Sequence, residues 1–200
     1  MGEPFSPRSS GCFKVTQTEM TSSDHWNKAY ANKAPDQVSW YRPRLEHSLA
    51  VIERARLDRA AGIVDVGGGA STLVDDLLAR GYSKVTVLDI APNALEFAKA
   101  RLGASAGAVR WLVGDVTSIE LPPNEYAFWH DRAVFHFLRE ESDRGRYVAA
   151  LRRSVRVGGH VLIGTFGPQG PERCSGLDVV RYSAEELSAQ FGDDSMKWTV

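Results

Sequence analysis

Three acidic side chains stand where the chain leaves an apolar run. Asp65 lies in "GIVDVGGGAS", Asp89 closes "KVTVLD", and Asp115 follows "VRWLVG". Gly67 and Gly69 come just after the first and permit a tight turn that lets a ligand lie against the main chain. A helix following such a turn points its free N–H groups into the same space. Asp89 lies 24 residues beyond Asp65, where a carboxylate can accept hydrogen bonds from both ribose hydroxyls of a nucleoside. Asp115 is placed to reach the exocyclic amine of an adenine. A glycine-rich turn by itself is often only a turn. Acidic residues at the ends of three successive strands argue for a ligand instead.

The elements that must position these residues alternate along the chain. Leu45, Leu49 and Ile52 recur at helical spacing after Pro43. The strand "GIVDVG" follows, then the helix "STLVDDLLARG", with Thr72 and Asp75 placed as a capping box and Gly81 as its stop. "KVTVLDI" is a second strand, and "PNALEFAKARLG" a helix opened by Pro92 and closed by Gly103. "VRWLVGD" is a third strand, and "YAFWHDRAVF" contains a fourth. "DRGRYVAALRRSVRVGG" places Tyr147, Leu151 and Val155 on one helical face, "HVLIGTFG" is a fifth strand, "SAEELSAQFG" a last helix and "MKWTV" a candidate sixth strand. Strands separated by helices make βαβ units with right-handed crossovers, so the expected fold is α/β, doubly wound, with a mainly parallel sheet. Ligands in such sheets bind beyond the carboxyl ends of the strands, near the switch point. The glycines and the three aspartates fall on that edge.

The chain has 200 residues, enough for one domain with a full core. Its 43% hydrophobic and 24% charged residues are those of an ordinary soluble protein. A net charge of -1 argues against broad attraction to nucleic acid or a membrane surface. No apolar run approaches the roughly 20 residues of a membrane helix, and the N-terminus lacks the apolar core of a secretory signal. Cys12 and Cys174 are far apart and unlike any metal-ligand spacing, so no metal and a reducing, cytoplasmic setting are expected. Residues 1–19 are rich in Ser, Pro and Gly and read as a poorly ordered leader, with the domain over 20–200.

The order D-x-G-x-G, with Ala70 and Ser71 next, departs from the G-x-G-x-x-G of dinucleotide folds and speaks against a dehydrogenase. The run of "VDVGGGAS", "VTVLDIAPNALEFAKARL", "VRWLVGDV", "WHDRAVFHFL" and "LRRSVRVGGHVLIGTF" resembles the class I S-adenosylmethionine-dependent methyltransferases over about residues 24–198. The resemblance implies a Rossmann-like fold, S-adenosylmethionine as cofactor and S-adenosylhomocysteine as product. It implies that Gly67, Gly68 and Gly69 line the methionine end and that Asp65 helps hold the amino group. Asp89 would hold the ribose, Ile90 would pack on the adenine, and Asp115 and Val116 would meet the adenine edge. His130 and Asp131, ending the fourth strand, become the catalytic candidates beside the methyl-transfer site, with a core or supporting histidine as the alternative at 130. "LPPNEY" precedes that strand as a turn, so the motif of nucleic-acid amine methyltransferases is absent and no nucleic-acid partner is expected.

Two regions are expected to shape the acceptor pocket. Trp26, Tyr30, Trp40 and Tyr41 put four aromatics into a cap over about residues 24–45. They either cover the sulfonium with cation–π contacts or pack the first helix on the sheet. The long loop "GPQGPERCSGLDVVRYS" offers Arg173, Cys174, Arg181 and Tyr182. The whole pattern resembles a subgroup of small bacterial methyltransferases and also the stand-alone protein lysine methyltransferases. The latter carry Asp-Lys-Gly where this chain has Asp131, Arg132 and Ala133. The expected acceptor is therefore a nucleophilic N, O or S atom of a small molecule, with a protein lysine as the alternative. A catalytically inactive cofactor-binding regulatory or scaffold protein is the reading of another class. The resemblance implies seven strands, and the C-terminal strand is expected to be missing, with the sixth begun by "MKWTV". An unpaired edge and a homodimer through it are expected.

Overall fold

The structure, a computed structural model, describes residues 22–31 and 41–192. The expected leader, Cys12, Trp40 and the "MKWTV" segment lie outside the described residues. Five strands form one sheet: β1 (Gly62–Val66), β2 (Lys84–Asp89), β3 (Val109–Val113), β4 (Tyr126–Arg132) and β5 (Val155–Gly164). Their order is β3-β2-β1-β4-β5, and every neighbouring pair is parallel. The order reverses between β1 and β4, so crossovers leave toward opposite faces and a crevice opens at the carboxyl ends. Register puts Asp65 beside Val87 on one side and His130 on the other.

Helices α1 (Ser22–Ala31), α2 (Glu46–Arg54), α3 (Leu73–Ala79), α4 (Pro92–Leu102), α5 (Glu141–Ser154) and α6 (Ala184–Phe191) complete the described fold. Alternate residues of each strand feed two apolar layers. Ile63 and Phe128 pack with Leu45, Leu49, Ile52 and Leu77 on one face. Val64 and Trp129 pack with Tyr147, Leu151 and Phe191 on the other. Pro92 opens α4 as expected. At the end of α3, Gly81 adopts φ +81, and the amides of Tyr82 and Gly81 donate to Leu77 and Leu78 at 3.1 and 2.9 Å. This is the crossed pair of bonds that closes a helix on a glycine.

Three local expectations are corrected. The capping box at Thr72 and Asp75 does not form, because both side chains have other partners. Thr72 Oγ1 donates to the Arg42 carbonyl at 3.1 Å, and Asp75 pairs with Arg101 at 2.7 Å. A capping box is found instead at Ser183 and Glu186, opening α6. The fifth strand starts at Val155 rather than His160, and Val155 leaves the helical face for extended backbone at φ -80, ψ 130. A bulge between Tyr126 and Phe128 absorbs the extra residues of β5. The long loop after β5 is not wholly irregular. It folds into a hairpin of β6 (Arg173–Cys174) and β7 (Leu177–Asp178), turned by Ser175 and Gly176 at φ +52 and +83.

Candidate functional site

The glycine turn lies at the centre of the crevice. Gly67 leaves β1 at φ +66 and donates to the Leu88 carbonyl at 2.7 Å. A Cβ there would stand 2.0 Å from Val134 Cγ2, and one on Gly69, at φ +38, would stand 2.7 Å from Asp89 Oδ2. Both conformation and clearance therefore require glycine at these two positions.

Behind the turn is a small pocket of about 50 Å³, bordered by Asp65, Gly67, Gly68, His130, Arg132 and Arg42 among others. Asp65 and His130 are buried, at 2% and 1% exposure. His130 Nδ1 lies 2.7 Å from Asp65 Oδ1, and His130 Nε2 lies 2.8 Å from Ser48 Oγ on α2. Asp65 Oδ2 is buried with no hydrogen-bond partner. Burial and the nearby Arg42 lower the pKa of the Arg132 guanidinium. A deep carboxylate oxygen without a donor and two neighbouring guanidinium groups together fit a ligand carrying both an amino group and a carboxylate.

In front of the turn a cleft of about 490 Å³ runs along the strand ends. Gly67, Asp89, Ile90, Asp115 and Val116 line one end of it. Burial pushes the Asp89 carboxyl up to about 7, assisted by Asp65 and opposed by the amides of Ala91, Gly69 and Ile90. The Ala91 amide donates to Asp89 Oδ1 at 2.7 Å. Asp115 Oδ1 accepts from the amide and the hydroxyl of Thr117 at 2.7 and 2.8 Å, which fixes the exposed carboxylate on its turn. Trp26 and Tyr30 of α1, Phe137, and the β6–β7 hairpin with Arg173 and Cys174 line the rest. Trp26 meets Phe137 edge-on at 5.1 Å. His25 Nε2 donates to the Ser175 carbonyl at 3.0 Å, which ties α1 to the hairpin.

Other expected residues lie elsewhere. Asp131 is fully buried and borders neither cavity. It accepts from the amides of Val134 and Phe135 at 2.8 and 3.1 Å and from the Tyr147 hydroxyl at 2.6 Å. Burial raises its carboxyl to about 6 against those donors. The carboxylate of this catalytic candidate holds the turn after β4, with its oxygens taken by protein donors. His130 likewise spends both ring nitrogens on protein partners. Arg181 pairs with Glu172, and Tyr182 is buried against Phe135, so neither reaches the cleft. Tyr41 borders the small pocket only. Sequence reasoning missed Ser48, Arg42, Arg132 and the cleft arginines Arg139 and Arg146. Ser48 did leave a signal: it is a polar residue on the apolar face that Leu45, Leu49 and Ile52 mark out.

A family model described as a methyltransferase domain matches residues 63–159, from β1 into β5. Over that part of the sequence the chain is similar to the class I S-adenosylmethionine-dependent methyltransferases, and the five-stranded parallel sheet agrees with their fold. S-adenosylmethionine is the cofactor this family resemblance supports. The chain is 23% identical over 150 residues to eEF1A lysine and N-terminal methyltransferase of Mus musculus, covering 72% of this chain and 21% of that one. It is 29% identical over 129 residues to malonyl-[acyl-carrier protein] O-methyltransferase of a Paenibacillus species, covering 62% and 46%. Its fold matches phosphoethanolamine N-methyltransferase 2 of Haemonchus contortus in complex with S-adenosylmethionine, with a TM-score of 0.60 and 17% identity over 88% of this chain and 41% of that one. The chain spans less than half the length of these relatives. Among the described residues no group of side chains could hold a metal ion, and no helix is long and apolar enough to cross a membrane.

Proposed function

We propose that the chain transfers a methyl group from S-adenosylmethionine to a nucleophilic N, O or S atom of a small anionic molecule. The carrying observation is the buried, unpartnered Asp65 Oδ2 beside Arg42 and Arg132. That pocket has the charges to receive an amino-acid end: Asp65 for the ammonium, the two arginines for the carboxylate. Gly67, Gly68 and Gly69 let this end lie against the main chain. Asp89 takes the ribose hydroxyls, Ile90 and Val116 pack against the adenine, and Asp115 meets its amine. Trp26 and Tyr30 cover the site.

The bound cofactor supplies a methyl group made electrophilic by its sulfonium. The protein's residues have to align donor and acceptor and exclude water. An acceptor that is already a thiolate or free amine needs no general base, which agrees with the absence of an accessible one at His130 and Asp131. The acceptor end of the cleft supports an anionic molecule. Arg139 and Arg173 share the single carboxylate of Asp178, at 3.4 and 3.0 Å, and Arg146 stands beside Asp143. Three guanidinium groups thus face two carboxylates. The cover formed by α1 and the hairpin favours a small acceptor over a protein side chain. β5 has no further strand beside it among the described residues, so this edge is open to a second copy of the chain.

Two measurements test the reading. Calorimetry should show S-adenosylhomocysteine binding and no binding of a nicotinamide dinucleotide; the reverse would overturn the cofactor assignment. Cofactor labelled in its methyl group, incubated with a cell lysate, should leave label among small molecules, and Arg173→Glu should sharply reduce it. Label in protein would favour a lysine acceptor. Label in neither fraction would favour a regulatory or scaffold domain.

A further inference from the structure

We propose that His130 is a positioning residue: with Ser48 it fixes the Asp65 carboxylate so that its remaining oxygen faces the amino group of the cofactor. The inference rests on the reading that Asp65 holds that group. Ser48, His130 and Asp65 come from α2, β4 and β1 and are all buried. The chain of bonds has one direction. A carboxylate only accepts, so Nδ1 carries the ring proton and donates to Asp65 Oδ1. Nε2 is then bare and accepts from the Ser48 hydroxyl. Every polar atom of Ser48 and His130 is used within the protein, and nothing is left for a substrate.

The other oxygen shows what this arrangement is for. Asp65 Oδ2 has no partner, and it lies 2.7 Å from where a Cβ of Gly68 would stand, with Val87 Cγ1 equally close to that point. It therefore lies directly under the glycine turn. Rotation of the carboxylate about its own bond would move Oδ2 away from the turn. The bond from His130 to Oδ1 prevents that rotation. Removing it should weaken recognition of an amino group and leave the contacts to ribose and adenine alone.

Calorimetry with S-adenosylhomocysteine and with its analogue lacking the α-amino group separates these contributions. The parent should prefer the amino-bearing ligand by roughly ten- to a hundredfold, the range of a hydrogen bond to a charged group. His130→Leu should lose most of that preference while binding the desamino analogue as the parent does. His130→Asn, which keeps a donor near the Nδ1 position, should retain it. Equal loss for both ligands in His130→Leu, or a preference that survives unchanged, would overturn the proposal. Nitrogen NMR of the parent adds a readout that needs no variant: a bare Nδ1 on His130 would also overturn it. Asp65→Asn identifies which inference has failed. If it keeps the preference, the amino group is held elsewhere; if it abolishes the preference and His130→Leu does not, only the positioning role falls.

Discussion

Replacing Asp89 with Asn should move stability and ligand binding in opposite directions, with a pH signature. Burial lifts the carboxyl from its ordinary 3.8 to about 7. Below pH 4 it is protonated in the folded and the unfolded chain and has no differential effect. Between about pH 4 and 7 only the unfolded chain ionises, so stability is lost as pH rises. Above pH 7 the loss is constant, with an upper limit of about 4 kcal/mol at about 1.4 kcal/mol for each factor of ten in proton affinity. Asp89→Asn keeps an oxygen for the Ala91 amide and cannot ionise. Urea denaturation should find it more stable than the parent at pH 8, by up to that limit, and nearly equal at pH 4. Binding should go the other way. Ribose hydroxyls donate to the charged form, so the variant should lose about 1.5–3 kcal/mol of S-adenosylhomocysteine affinity at pH 8. The difference should shrink at pH 5, where the parent carboxyl is itself protonated. A stability gap that does not change between pH 5 and 8 would refute the reasoning.

Further outcomes follow from single contacts. Ala133 sits at φ +73, which costs an alanine about 1–2 kcal/mol against about 0.5–1 kcal/mol for the entropy of glycine; Ala133→Gly should raise the melting temperature slightly, and a fall would contradict this. Tyr147→Phe removes the donor to Asp131 and leaves the Trp129 Nε1–H, now 2.8 Å from the hydroxyl, unpaired. It should cost about 2–4 kcal/mol by urea denaturation and raise the Asp131 carboxyl further above about 6. Trp26→Ala should weaken S-adenosylmethionine more than S-adenosylhomocysteine in calorimetry, by roughly three- to thirtyfold, because only the former bears a cation. Equal losses would place Trp26 away from the sulfonium.

What could be read from the residues alone was local. Five apolar runs, each punctuated by glycine, proline or an acidic residue, marked the strands and their order. The glycine turn and Asp89 followed from the edge they occupy. What escaped depends on partners distant in the chain. The bonds from His130 to Asp65 and to Ser48 join positions 65 and 82 apart, and no local pattern announces them. Thr72 and Asp75 have the spacing of a cap, but Arg42 and Arg101 claim their side chains. Val155 falls four residues after Leu151 and so continues the helical period, although the chain turns into a strand there. Asp131 stands where chemistry is expected, yet its two oxygens are taken by the turn behind it and by Tyr147.

The bond from His25 to Ser175 spans 150 positions, and it divides the labour of the cleft in an unexpected way. Residues proposed to hold the donor come mostly from one stretch, 65–132. The cover proposed to face the acceptor comes from 22–31 and 173–178, segments far from that stretch and from each other. Changes of substrate can therefore accumulate in the cover without disturbing how the donor is held. They cannot accumulate independently in its two halves, since a residue altered in the helix must still meet the hairpin. The acceptor range of this fold should diversify by paired change in two remote segments, around a donor site that stays as it is.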